Sequence, residues 1–272
     1  MKDAATRERD LRFGEHRHLS GIITEPRGSA RGTCVLVTAG LTPRFGPFRL
    51  YAQLARRLAS EGFLVLRFDL GGIGDSRQAY ASLPLRRRTE LELRAAVDQS
   101  YAGAGPLILG GLCSGAEDSV RYAALDARVT GLALIDPFGY PTLGWRWRDG
   151  LIRGARGALA AAGLIPARRK DDGQAAALVD YEQMGYEECL GALSTLLARG
   201  ARMHFVYTGG MRESFNHRGQ FEAMFPRLDF LGLASVDYFP QLRHTQVLDA
   251  DRRLVIESIA GALAPASTQE AS

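Results

Sequence analysis

The stretch from Leu107 to Ala116 carries the residue whose type and setting most directly support chemistry. The apolar run Leu107-Ile108-Leu109 ends in Gly110-Gly111, passes through Leu112 to Cys113, and opens a helical pattern at Ser114-Gly115-Ala116. Small residues two before and two after Cys113 give the spacing of a nucleophile elbow, a sharp strand-to-helix turn that lifts one side chain out of the backbone. Strand and helix nearly touch at such a turn, and a glycine lacks the Cβ that would block the approach. A thiol at a helix N-terminus is set to react as its thiolate. The chemistry this implies is acyl transfer. Sulfur attacks an ester, thioester or activated amide, a base manages the proton, and backbone N–H groups hold the oxyanion. Ser114 is the rival nucleophile, but centring the turn on it places Leu112 where a small residue is required. Ser114 is instead expected to donate its backbone N–H to the oxyanion.

The base must be a histidine, and the chain has five. His16 and His18 fall in an N-terminal hairpin and His204 lies inside a strand. His217 opens a short helix, and His244 follows the last expected strand. Two carboxylates lie just beyond strands and could orient an imidazole: Glu213, in Gly210-Met211-Arg212-Glu213, and Asp136, ahead of Pro137.

Alternating strands and helices must position these groups. Leu11 to Pro26 reads as a β-hairpin. Thr33–Thr38, Phe63–Phe68, Leu107–Leu112, Val129–Ile135 and Met203–Thr208 are apolar runs of strands buried on both faces, and Ala234–Phe239 is a last strand. Helical spacing marks Phe48–Glu61, Thr89–Tyr101, Ser114–Leu125, Tyr186–Arg199, His217–Met224 and Asp251–Leu263. This alternation implies right-handed crossovers and a mostly parallel sheet. The rhythm breaks between 138 and 184, where Leu151–Leu164 is helical in pattern. That interval is expected to be a mainly helical cap inserted into a core of 1–137 and 185–272. Gly71, Gly72 and Gly74 lack the spacing of a nucleotide loop and read as a structural turn.

Composition narrows the classes. A chain of 272 residues, 46% hydrophobic and 24% charged, suits one large α/β domain. A net charge of +4 without a nucleic-acid signature gives no case for a nucleic-acid partner. Cys34, Cys113 and Cys189 are too scattered for a disulfide framework or a metal site, and no metal or organic cofactor is expected. No apolar run is long enough to span a bilayer and the first ten residues are charged, so a cytoplasmic protein is expected. Within the cap, Trp145, Trp147, Arg146, Arg148, Arg153, Arg156, Arg168, Arg169 and Lys170 face few acids. Such a face could dock an acidic acyl carrier protein or an anionic lipid surface, or could be a solvated helix with its tryptophans packed beneath.

From about residue 11 to 263 the chain resembles the α/β-hydrolases, in which nucleophile, acid and histidine follow one another in that order. Leu66-Arg-Phe-Asp-Leu-Gly-Gly-Ile-Gly-Asp-Ser76 and Gly111-Leu-Cys-Ser-Gly-Ala116 resemble the exosortase-associated and serine-aminopeptidase-like hydrolases, and the cysteine elbow resembles that of dienelactone hydrolases. The resemblance implies an α/β-hydrolase fold with Cys113 as nucleophile and His244 as base. It makes Glu213, in the turn after the seventh strand, the first choice of acid and Asp136 the alternative. It places the second oxyanion donor at the backbone N–H of Leu41. Arg44, in the same loop, could hold a carboxylate or phosphate of the acyl donor. The expected activity is that of an esterase or thioesterase on a small or carrier-bound acyl substrate, with acyltransfer or cyclisation open because a thioester acyl-enzyme also reacts with nucleophiles other than water. A non-catalytic binding protein on the same fold is the other class.

Overall fold

The computed structural model describes residues 6–164 and 181–264. Its eight strands are β1 (Arg7–Phe13), β2 (Leu19–Glu25), β3 (Gly32–Val37), β4 (Phe63–Asp69), β5 (Leu107–Leu112), β6 (Val129–Ile135), β7 (Arg202–Thr208) and β8 (Ala234–Phe239). They form one sheet in the order β1-β2-β4-β3-β5-β6-β7-β8. Pairings β1/β2 and β2/β4 are antiparallel, and every pairing from β4 through β3, β5, β6 and β7 to β8 is parallel. The central strands β3 and β5 are buried along their whole length. Their unbroken apolar character follows, since helices cover both faces of a parallel sheet.

The helices are α1 (Leu50–Ser60), α2 (Leu85–Ser100), α3 (Ser114–Leu125), α4 (Leu143–Ala161), α5 (Tyr186–Ala198), α6 (Gln220–Met224) and α7 (Asp249–Ala262). On one face, Leu54 and Leu58 of α1 and Val255 and Ile259 of α7 pack with Leu36, Ile108 and Val206. On the other, Leu93 of α2, Val120 of α3 and Leu193 of α5 pack with Val35, Leu109 and Phe205. The alternating inward faces of each strand thus feed two cores, and the elbow sits between them at the carboxyl edge of the sheet.

Several elements depart from their expected bounds, among them α2, which begins at Leu85 instead of Thr89. The hairpin begins at Arg7, because β1 pairs with β2 in register from Arg7↔Glu25 to Phe13↔Leu19. Helix α4 begins eight residues before Leu151, since the Thr142 hydroxyl accepts from the backbone N–H of Trp145 (3.2 Å) and caps it. The helix expected from His217 starts only at Gln220, whose buried side chain accepts from the backbone N–H of Asn216 (2.9 Å) and donates to the carbonyls of Ser214 and Tyr140. The basic cluster Arg168, Arg169 and Lys170 and the turn expected at 171–173 lie outside the described residues.

Candidate active site

Strand β5 ends at Leu112, and Cys113 turns the chain with φ 54° and ψ −124° before α3 begins at Ser114. A left-handed φ on a side-chain-bearing residue is uncommon and has to be held by its surroundings. Here the Cys113 N–H donates to the Ile135 carbonyl (2.9 Å), and its own carbonyl accepts from Ala116 and Glu117 at the start of α3. The flanking glycines are required by contact. A Cβ on Gly111 would lie 2.4 Å from the Gly115 carbonyl carbon, and one on Gly115 would lie 2.4 Å from the Val37 carbonyl oxygen. Cys113 is left exposed, while Cys34 and Cys189 are buried. Burial pushes both of those thiols up to about 12.

Two side chains brace the elbow. The buried Tyr51 hydroxyl, from α1, donates to the Val37 carbonyl and accepts from the Leu112 N–H, both at 2.8 Å. It ties the ends of β3 and β5 together directly beneath Cys113. The Ser114 hydroxyl, nearly buried, accepts from the Gly40 N–H (2.9 Å) and fixes the loop after β3 against the helix N-terminus. That engagement leaves Cys113 as the side chain the turn presents.

His244 lies beyond β8, in the segment that leads to α7, and its Nδ1 donates to Asp136 Oδ2 at 2.8 Å. The Cys113 thiol lies near enough to the ring to contribute to its electrostatics. Burial alone would lower its pKa, but the Asp136 carboxylate, with a further contribution from Cys113, outweighs burial and holds it up at about 10. Gly210 allows this placement, because a Cβ there would come within 2.4 Å of the His244 backbone nitrogen.

The carboxylate on His244 is Asp136, the alternative acid, and this corrects the first choice of Glu213. Asp136 follows β6 with φ 46° and is fully buried, whereas Glu213 is an exposed residue of the turn beyond β7. Neighbouring strands explain the difference. Pairing of β6 with β7 brings Asp136 beside Thr208, whose N–H donates to Oδ1 and whose hydroxyl donates to Oδ2, both at 2.7 Å. The Thr208 oxygen in turn accepts from the Gly210 N–H (3.2 Å). Each lone pair of the buried carboxylate that faces the strands is thus occupied, and Thr208 is a positioning residue that the sequence reading missed. Its local signal was slight, a threonine closing an apolar strand.

Arg44 is also corrected. Its guanidinium pairs with Asp69 and Asp75 (2.7 Å to Asp75 Oδ2), and its backbone N–H donates to Asp69 Oδ1. Asp69 is fully buried and also accepts from the Asp75 N–H (3.1 Å). The arginine closes the turn of residues 70–76 onto the loop after β3, so its charge is paired within the protein. The expected structural role of that glycine-rich turn agrees with this: Ser76 donates to the Asp69 carbonyl (2.6 Å) and accepts from the Ser20 N–H (2.8 Å).

The other histidines are held elsewhere. His204 sits in β7 between the hydroxyls of Ser235 and Ser258, each at 2.8 Å, and burial lowers its pKa. His217 packs beneath Gly144 at the start of α4, where burial and Arg148 lower its pKa. Among the described residues, no group of three or more His, Cys, Asp or Glu could hold a metal ion.

No protein-family profile matches this sequence, and no curated protein matches it. Solved structures do match, over nearly the whole chain. A dienelactone hydrolase from Anabaena variabilis is 13% identical, with a TM-score of 0.60 over 94% of this chain and 96% of that one. An esterase from Pyrococcus furiosus is 13% identical, with a TM-score of 0.60 over 96% and 92%. A thioesterase domain from the curacin biosynthetic pathway is 15% identical, with a TM-score of 0.57 over 93% and 99%. Together with the strand order, these likenesses show that the chain has the α/β-hydrolase fold.

Proposed function

We propose that the protein is an acyl-transfer enzyme that works through a covalent thioester on Cys113, with His244 as general acid–base and Asp136 as its orienting carboxylate. The observation that carries this reading is the buried Asp136 bonded to His244, whose ring neighbours the exposed Cys113 of the strand-to-helix turn. A fold shared with hydrolases raises the prior, but the site carries the argument.

The proton of the thiol rests on His244 Nε2, and the sulfur adds to the carbonyl carbon of an ester or thioester. The carbonyl π electrons move to oxygen, where backbone N–H groups receive the charge. Ser114 supplies one from the first turn of α3. Leu41 supplies the other: it is a central residue of the turn closed by the Thr42 N–H on the Ala39 carbonyl, and the neighbouring Gly40 N–H is taken by Ser114. Collapse of the adduct expels the leaving group, which takes the proton from His244 and leaves a thioester. Water, deprotonated by His244, then attacks that thioester, releases the acid and returns the proton to sulfur. An amine or thiol acceptor would complete a transfer in place of hydrolysis. The likeness of residues 66–76 and 111–116 to exosortase-associated hydrolases is compatible with either fate.

Intact-mass spectrometry with a panel of acyl thioesters and activated esters tests the reading. The expected result is one retained acyl group, located on Cys113 and absent from Cys113→Ala. An acyl group on Ser114, or turnover that persists in Cys113→Ala, would overturn it.

A further inference from the structure

Helix α4 is unlike every other long helix of the molecule. It runs 19 residues, or about 28 Å at 1.5 Å per residue, and none of its residues is buried. Among the described residues, the hydrogen bonds that join it to the body come from its first turn. There Trp145 Nε1 donates to the Arg212 carbonyl, Asn216 Nδ2 donates to the Trp145 carbonyl (both 3.2 Å), and Gly144 lies over His217. At 100° per residue, Leu143, Trp147, Leu151 and Ala158 share one face, whereas Ile152 and Leu159 point away from it. Leu143 is 80% exposed, Trp147 74% and Leu151 62%. Arg146 and Arg148 flank that face on either side, Arg153 lies beyond Arg146, and Arg156 is opposite. The one acid of the helix, Asp149, is paired with Arg153 at 2.7 Å.

Other large apolar side chains are exposed in loops at the carboxyl edge of the sheet. Leu41, Phe45 and Phe48 stand exposed in the loop after β3, which Ser114 fastens beside Cys113. Phe48 and Arg49 both take left-handed φ (47° and 67°), and the Phe48 ring nonetheless stays in solvent. Val247 and Leu248, also exposed, follow His244, and Gln53 next to that loop accepts from Arg252 (3.2 Å) across the gap. The segment on which α4 rests, 209–217, is packed on the His244 backbone at Gly210. Exposed apolar side chains thus stand in the loops tied to Cys113 and His244, and α4 is anchored to the segment that touches the His244 backbone.

We propose that α4 forms a docking surface for an anionic lipid bilayer. The helix lies in the headgroup plane with Leu143, Trp147 and Leu151 among the acyl chains and its flanking arginines against anionic headgroups. No helix among the described residues is long and apolar enough to cross a membrane, so the contact is made along the surface. An acidic protein is the poorer occupant, because it would meet the arginines and leave the apolar face in water. A bilayer covers both.

Both tryptophans of the chain lie in α4, so intrinsic fluorescence reports this helix alone. Protein at low ionic strength should be titrated with phosphatidylcholine vesicles, with and without about a third phosphatidylglycerol, following emission and flotation together. A blue shift and flotation are expected with the anionic vesicles, weakening with salt. Trp147→Ser/Leu151→Ser should lower partitioning at least about tenfold, and each of Arg146→Gln and Arg148→Gln by roughly fivefold. Cys113→Ala should bind as the wild type does, so vesicle binding is read independently of the acyl chemistry. These positions are exposed, and unchanged thermal melts should confirm that the variants fold. Absence of flotation and blue shift on anionic vesicles would overturn the proposal. So would binding that is indifferent to Trp147 and Leu151, or an arginine-dependent complex with an acidic carrier protein in place of vesicle binding.

Discussion

The carboxyl edge of the sheet and helix α4 are built in opposite ways. Around Asp136 and Cys113, key groups are held by neighbouring elements: Thr208 holds the carboxylate, Tyr51 holds the ends of β3 and β5, and Ser114 holds the loop after β3. Helix α4 buries none of its residues and is tethered at one end. Reacting groups have to be placed to a fraction of an ångström, so they sit on buried, hydrogen-bonded strand ends. A surface that meets a soft partner needs only the right chemistry facing outward. Substitutions should therefore be costly at the first region and thermodynamically quiet at the second.

The largest effect is expected at the elbow itself. Gly115→Ala places a methyl group against the Val37 and Thr38 carbonyls, which are backbone and cannot yield. It should abolish soluble, folded protein or reduce activity below detection. Urea denaturation and turnover of an activated ester, measured side by side, check this, and a stable, active Gly115→Ala would break the contrast between the two regions.

Asp136→Asn comes next. The amide cannot accept from both Thr208 and His244 as the carboxylate does, and loss of an orienting carboxylate in a triad costs on the order of a thousandfold or more in kcat. Glu213→Gln should stay within about twofold, and steady-state kinetics on the pair decides between the two acids. The pH dependence sharpens the comparison. His244 is raised from its ordinary range near 6.5 to about 10, so folding takes up a proton between those values. The stability contributed by its ion pairs is complete below about pH 6.5 and is lost progressively as pH rises to about 10. Asp136→Asn should flatten that decline in urea melts, and should move the alkaline limb of the acylation rate to lower pH.

Thr208→Val should act more gently. It keeps the shape of β7 and the N–H bond to Oδ1 but removes the hydroxyl bond to Oδ2. A loss of about 1–2 kcal/mol in stability is expected. A merely structural role would leave the alkaline limb unmoved, and here it should shift towards that of Asp136→Asn. The smallest effect belongs to α4: Leu151→Ser should change unfolding free energy by less than about 0.5 kcal/mol, because the side chain it shortens is already in water.

What could be read from the sequence follows the same division between local and non-local determinants. The elbow is local, since a glycine-bounded turn after an unbroken apolar strand leaves little freedom in where Cys113 points. The strands β3 to β7 are equally legible, because burial on both faces forces their composition. Asp136 is different. Its role depends on β6 lying beside β7 with Ile135 opposite Val206, which brings Thr208 to its carboxylate, and no short stretch encodes that pairing. A Gly-x-x-acid turn looked more telling, yet the turn serves instead to admit the His244 backbone at Gly210. Arg44 misled for the same reason, because its partners Asp69 and Asp75 come from the end of another strand. The start of α4 was hidden by the proline-bearing segment before it, where one threonine cap decides the boundary.

The central claim is that His244, oriented by Asp136, keeps the Cys113 sulfur ready to react. The direct measurement is the rate and site of alkylation by iodoacetamide near pH 7, read by peptide mass spectrometry in the wild type and in Asp136→Asn. Modification should fall on Cys113 well ahead of the buried Cys34 and Cys189, whose thiols are held at about 12. It should slow markedly in Asp136→Asn while the fold persists. A Cys113 no more reactive than the other two, or one indifferent to Asp136, would contradict the account.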